Sequence, residues 1–540
     1  MIGTRRQLGS ALALICLLCP IARAEFKLIN PGESIQAAID DVNTVDGDII
    51  LVLPGVYSES INFHGKQITL RGANGSAFTT INVTILNDRA FTFTSGENEN
   101  AIVEGFTIGG GSSTIGGAVF INGAQPTFID CTLIANASSG SGGAVACLGN
   151  ASPTFIDCAF RNNEAARGGA VSVAALSSAT FVDCLFAGNL AIDGGAIAGQ
   201  SEAILELVNC SVFDNVASAD GGAIHGEDKV DIRVRDCVIR DNEAIDEGGG
   251  IYLDLDADAV LVNTTLTCNK AVEGGGIYVE ASDLEAVGCI IDSNTATTLG
   301  GAVHTFFASS TTMTNCTLFG NQAGLEGGGV FITGVDPTIT NSILWANLDS
   351  GPRDTSSQIF SSLADPVVNF SCVEGGWPGA GGLGIVIDSP MFENAAESDF
   401  ALSSASACLN VGNNDALPAD VLDVDDDSNV IEPLPLDAAG AIRISNSIVD
   451  LGALERSSID PDQCIADCSP INGDGTIGNG VVNIDDVLGV INTFGMCPPA
   501  PESCFCDLAP DNGDGTIGNG VINIDDLLVV INEFGPCPGG

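Results

Sequence analysis

The sequence predicts an all-β fold, a parallel β-helix solenoid, and three observations predict it. A block opening on a small residue recurs nine times between 131 and 347, at spacings of 27, 26, 26, 27, 27, 25, 27 and 26. Each block has an apolar residue two positions after its opening marker and Asn five positions after it. A Gly pair then precedes the next block. So tight a period marks stacked supersecondary units, and helical periodicity is absent from this region.

Composition sets the outer limits. The chain has 540 residues, 69 Asp and Glu against 17 Lys and Arg, 67 Gly, and a net charge of -52. That charge repels nucleic acid and anionic lipid and attracts divalent cations. A hydrophobic content of 45% argues against disorder.

Residues 1–24 read as a signal peptide. Arg5 and Arg6 precede the apolar run "ALALICLLCPIA", and Ala22-Arg23-Ala24 is an A-x-A cleavage site. "TRRQLG" faintly suggests twin-arginine export, but ordinary secretion is the reading adopted. No later segment is apolar enough to span a bilayer.

Residues 25–114 hold an N-terminal capping helix and the first coils. Glu33 to Val42 is predicted as a short amphipathic helix with Ile35, Ala38, Ile39 and Val42 on one face, closing the open end of the hydrophobic channel. "IILVLPG" begins the first coil.

Residues 115–347 hold the repeats of about 26 residues. Their markers are Cys131, Cys158, Cys184, Cys210, Cys237, Thr264, Cys289, Cys316 and Ser342. Apolar residues two before and two after each marker suggest a half-buried strand with the marker pointing inward between them. The Asn residues are Asn136, Asn163, Asn189, Asn215, Asn242, Asn269, Asn294, Asn321 and Asn347. Asn tolerates left-handed backbone, and in register its amides can form a ladder between coils. Gly pairs such as Gly142-Gly143 and Gly194-Gly195 permit a second sharp corner. Roughly eleven or twelve coils about 4.8 Å apart give a rod on the order of 55 Å long.

The signatures "FRNN", "FAGN" and "GGAV" over this region resemble the repeats of polymorphic outer-membrane proteins in the pectin-lyase-like, right-handed β-helix class. The stretch "GESIQAAIDDVNTVDGDIILVLPGVYSESINFHGKQITLRG" is similar to the start of many β-helix proteins. Those outer-membrane proteins end in a membrane barrel, a feature not carried over here.

Residues 348–456 contain "DFAL", "SACLNVG" and "VDLGALE" and resemble the domain called choice-of-anchor, which trails β-helices in bacterial surface proteins. That resemblance implies a sorting or anchoring element next. After a linker at 457–463, residues 464–540 contain two copies offset by 40 residues, "NGDGTIGNGVVNIDDVLGVINTFG" and "NGDGTIGNGVINIDDLLVVINEFG". They resemble dockerin-type repeats, each an acidic loop followed by an amphipathic helix, and imply a small α-helical tail with a cohesin-like partner.

Oxygen ligands at short intervals before a Gly-enabled turn suit calcium. The candidate ligands are Asn472, Asp474 and Asp486 in the first copy and Asn512, Asp514 and Asp526 in the second. The loops depart from the family pattern: Pro470 and Pro510 stand where an Asp is expected, and Asp467 and Asp507 are possible substitutes. "LDVDDDSNVIE", with Asp423, Asp425, Asp427, Asn429 and Glu432, is a third possible ion loop.

The marker cysteines are expected to be reduced and stacked, as small buried hydrophobes. The six tail cysteines, Cys464, Cys468, Cys497, Cys504, Cys506 and Cys537, are expected in disulfides, since so small a module needs staples. Cys464–Cys497 with Cys504–Cys537 is one pairing among fifteen, and zinc is the weaker alternative. His225 and His304 share one repeat position and are expected to face outward, too far apart to share a metal. Lys229, Arg233, Arg235 and Arg240 form the rod's basic cluster, with Asp254, Asp256 and Asp258 about one coil later. They line a groove for an acidic sugar or, the favoured reading, pair with acids on adjacent coils. No catalytic triad, phosphate loop or nucleotide fingerprint is present.

The function expected is that of a secreted or surface-displayed protein with a structural, adhesive or carbohydrate-binding role. Its partner would be a polysaccharide or a cell-surface protein. The alternatives are a polysaccharide lyase or hydrolase acting on acidic glycans, and cargo of a cohesin-type scaffold.

Overall fold

The computed structural model describes residues 25–83, 88–307 and 309–456, together with four two-residue strands beyond them. The chain winds as a parallel β-solenoid. Its three main sheets contain fourteen, thirteen and twelve strands, so about thirteen coils stack, somewhat more than the repeats alone suggest. Every neighbouring pair in these sheets is parallel and separated by one coil, as Phe128↔Phe155 on the first face and Leu133↔Phe160 on the second illustrate. A narrower six-stranded strip separates the second face from the third. The rod continues past Asn347, because Ile359–Ser362, Val367–Asn369 and Cys372–Val373 join the third, first and second faces.

The Asn column forms as the repeat suggests. From Asn136 to Asn347 each Asn Nδ2 donates to the Oδ1 of the Asn one coil on, at 2.9–3.1 Å. Each also donates to a main-chain carbonyl of the preceding coil, as Asn242 does to Val212 at 2.9 Å. Gln358, on the short helix Thr355–Gln358, closes the column by accepting from Asn347 at 2.8 Å. All nine Asn side chains are buried.

The left-handed residue in this corner is not the Asn. It is the residue before it, as at Ala135, Asn162, Asp214 and Asp241. A second left-handed residue, always Asp, Asn or Gly in these repeats, precedes each marker, from Asp130 and Asp157 to Asn315 and Asn341. This bend shifts the strand alternation by one. Phe128, Cys131 and Leu133 point inward while Ile129 is partly exposed, so the apolar residue two before the marker lies outside the channel. The inward Phe residues stack along the rod, Phe128 on Phe155 at 5.1 Å and Phe155 on Phe181 at 5.2 Å.

The marker cysteines are free and buried, and their Sγ atoms lie 3.1–3.5 Å from main-chain carbonyls. Thr264 and Ser342 replace the thiol with a hydroxyl facing the same kind of carbonyl, at 3.0 and 2.9 Å. A small, weakly polar donor is therefore sufficient at the marker.

At the N-terminal end, the helix Ile35–Asp40 buries Ile35 and Ile39 in the main core, and Ser34 Oγ accepts from Ala37 N at its start. Val42 lies beyond the helix and is 87% exposed, so it does not share the apolar face expected for it.

Residues 374–456 fold back along the side of the rod. Phe392 and Phe400 pack on Phe319 at 5.6 and 5.3 Å. Val424 and Leu434 bury the outward Val262 and Val287. Arg235 reaches from the rod to the Asp426 carboxylate at 2.7 Å and to the Asp423 carbonyl.

At the end of this segment the buried Arg443 donates to the carbonyls of Ala453 and Gly452, with Asp437, Asp450 and Glu455 around it. Burial, then the Asp450 charge, pushes the Glu455 carboxyl up to about 7. The folded chain thus holds a proton that the unfolded chain releases near about pH 4.3. The contribution of Glu455 to stability is therefore full below that pH, falls by about 3 kcal/mol as pH rises to about 7, and then levels off. Urea unfolding at about pH 5 and about pH 8 checks this, and Glu455→Gln should shrink the difference without abolishing it, because the carboxyls of Asp220 and Glu247 are raised in the same direction.

In the tail only backbone pairing is described. Val481–Val482 pairs antiparallel with Gly535–Pro536, and Gly495–Met496 with Val521–Ile522, so the first strand of each copy pairs with the last strand of the other. The calcium ligands and cysteines expected there lie outside the described residues.

Candidate functional site: an aromatic column with carboxylate rims

One repeat position on the third face departs from the architectural pattern. Strands Ile197–Gln200, Ile224–Glu227, Ile251–Asp254, Ile277–Glu280, Val303–Phe306 and Val330–Thr333 pair in register. Their second residues form a column: Ala198, His225, Tyr252, Tyr278, His304 and Phe331. His225 stacks on Tyr252 at 5.0 Å and Tyr252 on Tyr278 at 5.5 Å. His304 then meets Tyr278 and Phe331 edge-on at 4.8 and 4.9 Å.

Both histidines lie on the outer side of their strands, but the solvent exposure expected there is corrected by their burial, 5% exposure for His225 and 2% for His304. The Gly corner lies over them: a Cβ on Gly221 would stand 2.9 Å from His225 Cβ, and one on Gly300 2.7 Å from His304 Cβ. A side chain on the outer side of a strand is normally solvated, but here the main chain folds across it.

Two rims flank the column. One is the residue before each Gly pair: Arg167, Asp193, Asp220, Glu247 and Glu273. The other is the last residue of each third-face strand, including Glu227, Asp254 and Glu280. Arg167 bridges the rims, 3.4 Å from Asp193 and 3.2 Å from Glu227.

Burial and like charge act together here. Burial, with Asp193, Asp246 and Asp254 nearby, pushes the Asp220 carboxyl up to about 6. Burial, then Asp220 and Glu273, pushes Glu247 up to about 7. Burial lowers the His225 imidazole to about 4, keeping it neutral. His304, whose Nδ1 is 3.2 Å from Glu273, holds that carboxyl below its usual range. The face is thus suited to cations and to neutral hydrogen-bonding ligands. The signal was present in the sequence as acids before the Gly pair in four successive blocks, but its meaning depends on the corner folding inward.

The other expected sites divide. In the acidic loop, carboxylate oxygens of Asp420, Asp423 and Asp425 come within 4.8 Å of one another, as do those of Asp425, Asp427 and Glu432. Asn429 lies against the second group, its main-chain N–H donating to Asp427 Oδ1 at 2.7 Å. The basic cluster does not form one patch. Lys229 and Arg233 line a cleft with Asp231, Asp256 and Asp258, closed on one side by Val421 and Leu422. Arg233 pairs with Asp231 at 2.6 Å and Arg240 with Asp241 at 2.5 Å, within a coil and not between adjacent coils. Arg240 also lies over the Phe213 ring at 4.4 Å.

A family model described as "Right handed beta helix region" matches residues 208–344. A cell surface glycoprotein of Methanothermus fervidus is 41% identical over 95 residues, 17% of this chain. The match spans only 15% of that glycoprotein's length. Among solved structures, pectate lyase Pel9A aligns over 81% of this chain and 98% of its own, with a TM-score of 0.38 and 14% identity. The observed coils agree with the β-helix description. No helix among the described residues is long and apolar enough to cross a membrane.

Proposed function

We propose that this chain is an extracellular, surface-displayed rod with a structural or adhesive role. In this reading residues 1–24 direct export, and the helix Ile35–Asp40 caps the channel. The tail anchors or docks the rod through its dockerin-like repeats, folded around Ca²⁺ held by Asn472, Asp474 and Asp486 and by Asn512, Asp514 and Asp526. The unbroken Asn column carries the proposal, because a ladder spanning nine coils makes a stiff spacer whose interior has no room for a substrate. The similarity to part of a cell surface glycoprotein also supports surface display. The partly exposed carboxylate rims would meet a polysaccharide or a surface protein.

A lyase or hydrolase reading draws less support, since a lyase needs a free basic group, and of the basic cluster Arg233, Arg235 and Arg240 are each held by a carboxylate, leaving only Lys229 without an ion pair among the described residues. Protease shaving of intact producing cells, combined with pull-downs on cell-wall polysaccharides with and without chelator, tests the proposal. Release of the rod by shaving and chelator-sensitive retention are expected. A rise in unsaturated-uronate absorbance on polygalacturonate or alginate with Ca²⁺ would establish a lyase instead.

A further inference from the structure

At one end of the aromatic column the two rims and an imidazole converge. A carboxylate oxygen of Asp193, one of Asp220 and a ring nitrogen of His225 all lie within 4.8 Å of one another. Independently of the acids, His225 Nδ1 is buried and has no hydrogen-bond partner. A buried polar atom left unpaired destabilises the fold unless something satisfies it.

We infer that Asp193, Asp220 and His225 bind a divalent transition-metal ion of the Zn²⁺ class, with a coordination position left for water or an external ligand. One imidazole with two carboxylates suits a borderline cation better than Ca²⁺ or Mg²⁺, which prefer oxygen alone. Three protein ligands are the number that leaves a tetrahedral ion open. Arg167 offsets part of the charge on Asp193 and Glu227, while Asp220 is left to the ion.

The repeat supplies an internal control. His304 occupies the same column position and its Nε2 is likewise buried without a partner, but Leu299 precedes its Gly pair, and Glu273 is the acid beside it, at 3.2 Å. The chemistry therefore belongs to one coil and not to the repeat as such.

The test is equilibrium dialysis of the full chain against Zn²⁺, comparing wild type with H225F, D220N and H304F. Phe keeps the stacking on Tyr252, and Asn keeps an acceptor for the Glu247 amide. Because cysteines elsewhere in the chain can also bind zinc, Co²⁺ spectra accompany the dialysis. The expected result is that H225F and D220N each lose a single equivalent, that H304F keeps it, and that the lost Co²⁺ signal has no thiolate charge-transfer band. Equal stoichiometry in all four proteins, or a lost signal with thiolate character, would overturn the site. Should H225F not fold, D220N alone decides.

Discussion

Replacing Asn242 with Leu is expected to destabilise the rod by about 3–5 kcal/mol. The Asn242 side chain donates to Val212 O at 2.9 Å and to Asn269 Oδ1 at 3.0 Å. It accepts from Asn215 N at 3.1 Å and Asn215 Nδ2 at 3.0 Å. All these atoms lie in a buried column. Leu satisfies none of them, leaves the Asn215 N–H on the preceding coil without its acceptor at about 1–3 kcal/mol, and breaks the amide ladder to Asn269 on the following one. Asn242→Asp keeps the shape and loses the donors, setting oxygen against the Val212 carbonyl, and should be at least as damaging. Because nearest-neighbour coupling governs a solenoid, amide exchange should accelerate first in the coils around 215 and 269. Urea unfolding with site-resolved exchange measures both effects, and a loss under about 1 kcal/mol would show that the ladder is decorative.

Gly195→Ala is expected to have an even larger effect, above about 4 kcal/mol. The two glycines of the pair are required for different reasons. Gly194 has φ +66, a conformation that side chains resist, whereas Gly195 lacks room. A Cβ on Gly195 would stand 2.1 Å from Gly222 O and 2.8 Å from the Val216 main chain. Neither contact involves a flexible side chain. Relief would require two coils to separate at one corner, which breaks ladder bonds along three sheets. Limited proteolysis should then cut near this corner. Gly320→Ala is the control, since Gly320 has φ +65 with nothing within 4 Å, and strain alone costs about 1–2 kcal/mol. Similar losses in both variants would refute the packing explanation.

The coil was legible because each of its features repeats. Marker, apolar residue, Asn and Gly pair recur with the period of the stack, so each copy supports the others. The direction of side chains around the marker departs from simple alternation for a local reason. The left-handed Asp, Asn or Gly before every marker bends the strand, so the residue two before the marker turns outward. The shared repeat position of His225 and His304 is legible in the sequence, but their burial is not, since it comes from main chain folding over the strand.

What the sequence by itself determined is the solenoid: its period, its Asn ladder and its thiol column. In a stack, contacts between coils fall one period apart along the chain, and a one-dimensional pattern can record that. The tertiary structure alone decided that Arg235 meets Asp426, that Phe392 and Phe400 cover Phe319, and that Asp193 and Asp220 share a site with His225 and not with His304. These contacts depend on lateral packing and on which way each corner folds, and neither leaves a period in the chain.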